Sequence, residues 1–421
     1  MPTMTIGDNS ASPSDAGSAA LSRERAKQLR QIGSVLRDAW LMFGITLLIF
    51  LVVEYCYRAQ GMVRRRLGQS DTPTSHVIHP QAKEPWYRDW VKQGPGAHPQ
   101  FRYHPHLVYW PEEYAVKYIR VDATGLRVTP QSPVAEPKRT LFVLGGSTMW
   151  GYTVRDSFTI PAIVARELRT RGIHDVEVLN LAQRSYTETQ SVIQLVLELR
   201  RGNVPDIVVS LTGHNDIAAA YASGEAGQVL NEARARQRWE DGGRGFRSGM
   251  AIIARTSQLV TRLNLLVGRG AERQVHRQSM TRVCGDVASH FRQLMLTTEA
   301  LGRQFGFTAI AFWQPMIGSV KKPLSPWEQR LEKEPGLDEM VGTCSRMVDS
   351  LMNDRRARTY HPLHDVFGSD TSTVFVDSFS HLTEPANERV AARITDVIAP
   401  LLVHQPKFSD TAAARERVRL R

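Results

Sequence analysis

A serine, a histidine and an aspartate in this sequence have the residue types of an acyl-transfer site, and they come directly after apolar runs. Ser147 follows two glycines at the end of the run 140–144, and Asp377 and His381 follow the run 373–376. A serine hydroxyl becomes a good nucleophile when a histidine takes its proton, and an aspartate that accepts the other imidazole N–H fixes the ring tautomer. On its own, the segment around Ser147 is equally consistent with a glycine-rich turn that carries a polar cap.

The apolar runs are typical of buried strands in a parallel sheet. Residues 140–144 are aliphatic or β-branched and end at a glycine pair, and similar runs occupy 176–179, 207–212 and 308–312. The segments between these runs have apolar residues at helical spacing, so we predict an α/β fold with one three-layer α/β/α domain around a parallel sheet. Because the carboxyl ends of parallel strands meet at one edge, the polar residues that follow the strands, including those after a fourth strand at 373–376, should lie together.

Four segments, in this order along the chain, resemble the sequence blocks of the SGNH (GDSL-type) hydrolase family. They are Gly-Gly-Ser at 145–147, the segment 180–182, Gly-His-Asn-Asp at 213–216, and the pair Asp377 and His381. A further segment, Phe-Trp-Gln-Pro at 312–315, looks like a membrane-anchored bacterial branch of that family. The resemblance covers roughly residues 101–404, and it implies an SGNH-like fold and a serine esterase activity.

The resemblance also implies roles for single residues. Ser147 would be the nucleophile and His381 the base, with Asp377 as the partner of the imidazole. His214 would line the site, because the base of this family comes from the last block. The oxyanion that forms on the substrate would be stabilised by a hole built from Ser147, Ala182, Gly213 and Asn215.

The sequence departs from the family pattern at two positions. Ala182 stands where the family has a glycine; its methyl group keeps the N–H donor but restricts the backbone. Ser378 stands where the family has the aspartate, so Asp377 reaches His381 only if the loop accommodates one extra residue. Otherwise His381 would be oriented by Ser378 or by a carbonyl group.

The amino-terminal part of the chain predicts a membrane anchor. Residues 39–53 are uncharged and strongly apolar, and with their extension to 57 they approach the roughly 20 residues that span a bilayer. A buried core helix is the alternative. The predicted organisation is a disordered basic segment (1–38), a transmembrane helix (39–57), a linker or cover (58–100), the SGNH-like domain (101–405) with a helical insertion at about 217–280, and a basic tail (406–421).

The charge and the cysteine content indicate which partners and which cellular compartment to expect. The net charge of +11 gathers in flanking arginines, which suit an anionic membrane surface, and we expect no nucleic-acid partner. A slight basic excess before the span favours an amino end in the cytoplasm, a single-pass inner-membrane protein and an extracytoplasmic domain. Without metal-ligand spacing we expect neither a metal nor a cofactor. Cys284 and Cys344 would form a disulfide if the domain is exported, although two buried free thiols are the favoured interpretation.

The leading functional hypothesis is a serine esterase that hydrolyses or transfers O-acyl groups, such as acetyl, on an extracytoplasmic glycan or another acylated envelope molecule. One alternative is a catalytically weak or inactive scaffold that binds envelope polysaccharide or a biosynthetic partner. Another is a lipase or thioesterase at the membrane surface. Hydrogen-bond contact between Ser147 and His381 favours an enzyme, and separation of the two favours the scaffold.

Overall fold

The structure is a computed structural model that describes residues 13–66, 80–92, 100–130, 132, 134, 139–230, 280–331, 336–356 and 358–404. The chain divides into two compact units, of which one contains the described residues 13–66 and the other contains the remaining described residues. Much of the predicted insertion (231–279) and the whole predicted basic tail (406–421) lie outside the described residues, as do residues 1–12, 67–79, 93–99 and 405.

The first unit contains one long helix, α1, which runs from Pro13 to Arg66 over 54 residues. Its segment Arg30–Cys56 is 27 residues long and contains an 18-residue window with a mean hydropathy of 2.1, so by length and composition it is a candidate membrane span. A signal sequence near an amino terminus passes the same test. The prediction of disorder is wrong for residues 13–38, because Leu, Ala, Arg, Lys and Gln dominate 21–38 and favour a helix.

The second unit has the predicted three-layer α/β/α architecture. Its central sheet has five parallel strands in the order β6-β5-β7-β8-β9. Its strands are β5 (Arg139–Gly145), β6 (Val176–Asn180), β7 (Ile207–Thr212), β8 (Thr308–Trp313) and β9 (Tyr360–Pro362). Two antiparallel pairs precede this sheet: β1 (Phe101–His104) with β2 (Val108–Pro111), and β3 (Tyr114–Ala115) with β4 (Arg120–Val121).

Helices cover both faces of the sheet. They are α2 (Pro85–Lys92), α3 (Ser147–Trp150), α4 (Ile160–Thr170), α5 (Glu188–Arg200), α6 (His214–Ser223), α7 (Met280–Phe305), α8 (Pro326–Arg330), α9 (Leu337–Leu351) and α10 (Glu384–His404). On one face α4 and α10 pack over alternate side chains of β5 and β7, such as Val143 and Val209. On the other face α5 packs over Phe142 and Val208, while α7 and α9 pack over Trp313. This alternation follows from the period of two along a strand.

The apolar run 373–376 is not a strand of the sheet, which corrects the prediction of a fourth strand there. It makes an isolated antiparallel bridge, between Phe375 and Leu382. The last sheet strand is instead β9, which pairs with β8. The N–H groups of Val374 and Phe375 donate to the buried Glu328 carboxylate, at 2.8 and 3.0 Å, in place of a neighbouring strand.

Two further features decide between alternatives that the sequence left open. Residues 80–92, within the predicted linker, cover the domain: Trp86 of α2 is buried and its ring contacts Tyr118 at 6.2 Å between centroids. The interpretation of Cys284 and Cys344 as free thiols is wrong, because the structure joins them in a disulfide between α7 and α9. Cys56 of α1 is free and exposed.

Candidate active site

Ser147 is the first residue of α3, directly after the glycine pair that ends β5. Gly145 has a φ of 144°, and a Cβ there would collide with the Leu211 carbonyl oxygen of the neighbouring strand. A Cβ on Gly146 would collide with Nδ2 of Asn215. The pair is therefore required for the close approach that places Ser147 beside Asn215 at the carboxyl edge of the sheet.

A continuous hydrogen-bonded chain joins Ser147, His381 and Asp377. Oγ of Ser147 lies 2.7 Å from Nε2 of His381, and Nδ1 of His381 lies 2.6 Å from Oδ2 of Asp377. His381 is buried, whereas Ser147 is half-buried. This geometry assigns Nδ1–H as the donor to the carboxylate and leaves Nε2 as the acceptor for the serine hydroxyl.

The Asp377 carboxylate is held as an anion by its hydrogen bonds. Its Oδ1 accepts the backbone N–H groups of Phe379 at 3.1 Å and of His381 at 3.3 Å. Burial alone would raise the pKa of Asp377, but the charge and hydrogen bonds of His381 outweigh it and hold that pKa below its usual value. An ionised carboxylate is the form that supports an imidazolium on His381.

The loop between Asp377 and His381 is one residue longer than the family pattern that the sequence resembles. Ser380 has a φ of 62°, and its N–H donates to the Asp377 carbonyl at 3.2 Å. The N–H of Val376 donates to the His381 carbonyl at 2.8 Å, which closes the base of the loop. The left-handed residue thus accommodates the insertion, and Ser378 takes no part in orienting the imidazole ring.

Asn215 lies beside the glycine pair that precedes Ser147, and both Asn215 and Ser147 have N–H groups without an acceptor among the described residues. The Asn215 amide donates to the Tyr186 carbonyl at 2.8 Å, which fixes the side chain and leaves its second N–H available. The N–H of Ser147 lies in the first turn of α3, where backbone donors have no intrahelical acceptor. Gly213, with a φ of 138°, is the N-cap of α6 and makes the turn that delivers Asn215.

Ala182 does not provide the donor that was predicted for it. Its N–H already donates to Oδ1 of Asn180 at 3.2 Å, and its side chain is buried in the core. Three residues further on, Ser185 has a φ of 61°. It lies in a turn in which the Tyr186 N–H donates to the Gln183 carbonyl at 3.3 Å. Within the described part of the chain the Ser185 N–H has no acceptor. Ser185 was not a candidate in the sequence analysis, because a serine in the left-handed region gives no residue-type signal.

His214 lies beside the site but does not contact the serine. It is buried, its ring packs on Phe379 at 5.9 Å, and neither ring nitrogen has a hydrogen-bond partner among the described residues. Burial, with a contribution from the charge of His381, lowers the pKa of His214 to about 4. His214 is therefore neutral at physiological pH and agrees with its predicted lining position.

Asp216 joins two loops beside the site through hydrogen bonds of its carboxylate. Its carboxylate accepts the backbone N–H of Glu188 at 3.0 Å and the Thr212 hydroxyl at 2.7 Å. These bonds connect the amino end of α5 to the β7–α6 turn that carries Asn215. Among the described residues no group of three or more His, Cys, Asp or Glu side chains is placed to hold a metal ion.

Arg127 donates hydrogen bonds at the carboxyl end of the short helix α3, which begins at Ser147. Its fully buried guanidinium donates to the carbonyls of Trp150, at 3.1 Å, and Gly151, which terminate α3, and to that of Val154 at 2.8 Å. Its Nε pairs with Asp156 at 2.8 Å. A cation at a helix carboxyl end also complements the helix dipole, so α3 is fixed at both ends.

Comparisons with known proteins give similar solved structures at low identity. No family model and no curated protein matches the sequence. An acetyl xylan esterase aligns at 12% identity and a TM-score of 0.36, covering 62% of this chain and 99% of that one. A carbohydrate acetylesterase from Sinorhizobium meliloti aligns at 15% identity and a TM-score of 0.34, covering 62% and 99%. An esterase from Pseudoalteromonas sp. aligns at 11% identity and a TM-score of 0.33, covering 63% of this chain and 100% of that one. At these identities and TM-scores the similarities assign neither an activity nor a substrate to this chain.

Proposed function

We propose that this chain is a serine esterase of the SGNH type that hydrolyses or transfers O-acyl groups, including O-acetyl. The observation that carries the proposal is the position of His381, which is hydrogen-bonded to Ser147 Oγ at 2.7 Å and to Asp377 at 2.6 Å. That arrangement is the one in which a serine hydroxyl loses its proton to a base as it attacks a carbonyl carbon.

The proposed reaction has two steps at the same serine. In the first, Ser147 Oγ attacks the ester carbonyl and its proton passes to Nε2 of His381. The oxyanion receives hydrogen bonds from the N–H groups of Ser147 and Ser185 and from the Asn215 amide. The ester C–O bond then breaks, and His381 returns the proton to the leaving alcohol. In the second step His381 deprotonates water, or an acceptor alcohol, which attacks the acyl-serine and regenerates the hydroxyl.

The site geometry supports an enzyme over an inactive scaffold. The scaffold hypothesis arose from the displaced aspartate and from Ala182, and it requires a separated Ser147 and His381. The aspartate reaches the imidazole through the left-handed Ser380. The loss of the Ala182 donor is compensated in this proposal by Ser185.

We further propose that the domain is extracytoplasmic and anchored in the inner membrane by α1. The apolar segment Arg30–Cys56 supports the anchor, and the Cys284–Cys344 disulfide supports an oxidising compartment, since disulfides persist mainly outside the cytosol. An acylated glycan or other acylated envelope molecule as the substrate rests on the family resemblance alone.

The proposal is tested with the detergent-solubilised full chain and 4-nitrophenyl acetate. We expect Ser147→Ala and His381→Ala to lose at least about a thousandfold in kcat, since both groups act in the same step. Ser350→Ala and His174→Ala are matched controls at exposed positions and should keep wild-type rates. Activity that survives Ser147→Ala would remove the nucleophile from the proposal, and a folded wild type without turnover on short or long acyl esters would favour the scaffold.

A further inference from the structure

One side of the site is a stack of alternating aromatic and cationic groups. The Tyr152 ring lies beside the His381 ring, with 4.8 Å between centroids. On Tyr152 lies the Arg184 guanidinium, with Cζ 4.8 Å from the ring centroid. The Phe101 ring contacts the same guanidinium at 5.5 Å. Tyr152 therefore contacts both the imidazole of His381 and the positive charge of Arg184.

Arg184 is held in a fixed position relative to the reacting atoms. Its backbone carbonyl accepts the Tyr109 hydroxyl at 2.7 Å, and the next residue is Ser185, the proposed oxyanion donor. The N–H of Tyr152, the residue on which it stacks, donates to the Ser147 carbonyl at 3.0 Å. The backbones of Arg184 and of Tyr152, whose ring the guanidinium contacts, are therefore both held by hydrogen bonds.

The charge of Arg184 has no counterion in the described part of the chain, where no carboxylate lies within ion-pair distance of it. Other arginines of this domain are paired with carboxylates: Arg127 with Asp156, Arg155 with Glu384, and Arg389 with Asp370. Arg184 is half-buried, and burial lowers its pKa, yet an arginine stays charged in proteins. A partly desolvated cation is stabilised when an anion is brought to it.

We propose that Arg184 recognises a negative charge on the substrate, so that the preferred esters carry a carboxylate or a phosphate on the group that contacts Arg184 beside Tyr152. The planar guanidinium matches both groups through paired N–H donors. This inference rests on the proposed esterase function and adds to it a substrate class: acyl esters of anionic alcohols, whether sugar carboxylates or phosphorylated molecules.

The test compares esters that differ in charge but little in shape. The anionic substrates are 4-acetoxybenzoate and 4-acetoxyphenyl phosphate, and the neutral reference is 4-acetoxybenzamide. We expect wild-type kcat/KM to favour the anionic esters by about tenfold or more, as for a charge-assisted hydrogen bond. The ratio should fall toward one in Arg184→Gln and stay partly elevated in Arg184→Lys. Whichever anionic ester has the larger ratio identifies the charged group.

A matched control removes a positive charge elsewhere. Arg303 is exposed near the carboxyl end of α7, before β8 and hence at the opposite edge of the sheet, and Arg303→Gln should leave the ratio unchanged. An equal loss of the ratio in Arg303→Gln would indicate net charge as the cause and overturn the proposal. So would a ratio that is the same in wild type and Arg184→Gln.

A binding measurement separates this inference from the esterase proposal. Saturation-transfer NMR on the Ser147→Ala protein compares the product alcohols 4-hydroxybenzoate and 4-hydroxybenzamide. If no ester is hydrolysed but the benzoate binds more tightly and loses that preference with Arg184→Gln, the esterase proposal fails and the anion site stands. Equal binding of both alcohols, unchanged by Arg184→Gln, overturns the anion site.

Discussion

Oδ2 of Asp377 lies 2.6 Å from Nδ1 of His381, although the loop between the two residues is one residue longer than in the SGNH sequence pattern that this chain resembles. The extra residue is absorbed where Ser380 adopts a φ of 62°. A left-handed serine costs free energy relative to glycine. The surrounding contacts must stabilise it, and the buried Ser380 hydroxyl does so in part by accepting the Ile317 N–H at 3.1 Å.

Replacing the aspartate with its neutral isostere tests its role. We expect Asp377→Asn to keep the fold and to lower kcat by about 10²- to 10⁴-fold, because an amide no longer supports an imidazolium and permits the wrong tautomer. Steady-state kinetics with 4-nitrophenyl acetate give the value. A change of less than threefold would mean that another group orients His381; Asp365→Asn, at an exposed carboxylate of the same region, is the control.

A pair of substitutions at Ser380 separates backbone strain from the side-chain hydrogen bond. Both Ser380→Gly and Ser380→Ala lose the acceptor for the Ile317 N–H, but glycine alone relieves the left-handed backbone. We expect the glycine variant to be more stable than the alanine variant by about 1 kcal/mol. Urea unfolding measures the difference. Equal stabilities would show that the backbone at this position is unstrained.

A buried ion pair supports the segment that leads to Asp377. Lys322 Nζ and Glu328 Oε2 are 2.6 Å apart, and both side chains are completely buried. We expect Lys322→Met to destabilise the protein by about 3–5 kcal/mol, because it leaves a buried carboxylate without its countercharge.

The double variant Lys322→Met with Glu328→Gln controls for the lost packing. Glutamine is neutral and keeps an oxygen acceptor for Val374 and Phe375, so the double variant should be more stable than the single one. Urea unfolding of the three proteins decides this. A double variant that is less stable than Lys322→Met would show that the charge itself contributes little.

His214 should make the protein sensitive to mild acid. Its pKa is about 4 in the folded protein, against about 6.5 in an unfolded chain. Between these values the unfolded chain binds a proton that the folded one does not, so stability falls as the pH falls.

The loss of stability from this residue between pH 7 and pH 4.5 should be about 2–3 kcal/mol. His214→Gln should remove that part of the pH dependence, whereas His174→Gln, at an exposed histidine, should not. Denaturant unfolding at both pH values measures it. A pH dependence that is identical in wild type and His214→Gln would place the titration elsewhere.

Counting the reactive thiols tests the disulfide directly. The chain has three cysteines, and we expect one, Cys56, to react in the unreduced protein and three after reduction and unfolding. Reduction, or the double variant Cys284→Ala with Cys344→Ala, should lower stability by about 2–4 kcal/mol. Three reactive thiols in unreduced, unfolded protein would contradict the bridge.

The parts of the fold that the sequence predicts are those with a local signal. The runs around Val143, Val178, Val209 and Ile310 are strands because their aliphatic residues are buried on both faces of a parallel sheet. The position of Ser147 followed from the glycine pair at the end of one such run. The order of these blocks was enough to select His381 and Asp377 as partners of the serine.

The remaining features depend on partners that are distant in the sequence. The run before Asp377 has the composition of a strand, but Glu328 provides acceptors for its N–H groups and keeps it out of the sheet. Cys284 and Cys344 are 60 residues apart, and only the packing of α7 against α9 brings them together. Ala182 was chosen because it stands at the position of the family's glycine, and Ser185 was not considered because its left-handed backbone angle cannot be inferred from its residue type.

The contacts of Arg127 determine where a self-sufficient version of this domain can begin. A polypeptide that starts at the first strand of the central sheet would contain Ser147, Asn215, Asp377 and His381, yet it would lack the cation that closes the nucleophile helix. Three backbone carbonyls and the Asp156 carboxylate would then be left in the interior without their donor. The strands and turns before the sheet therefore belong to the same folding unit as the residues from β5 onward. We expect that the domain cannot be shortened or recombined at that boundary as an independent module.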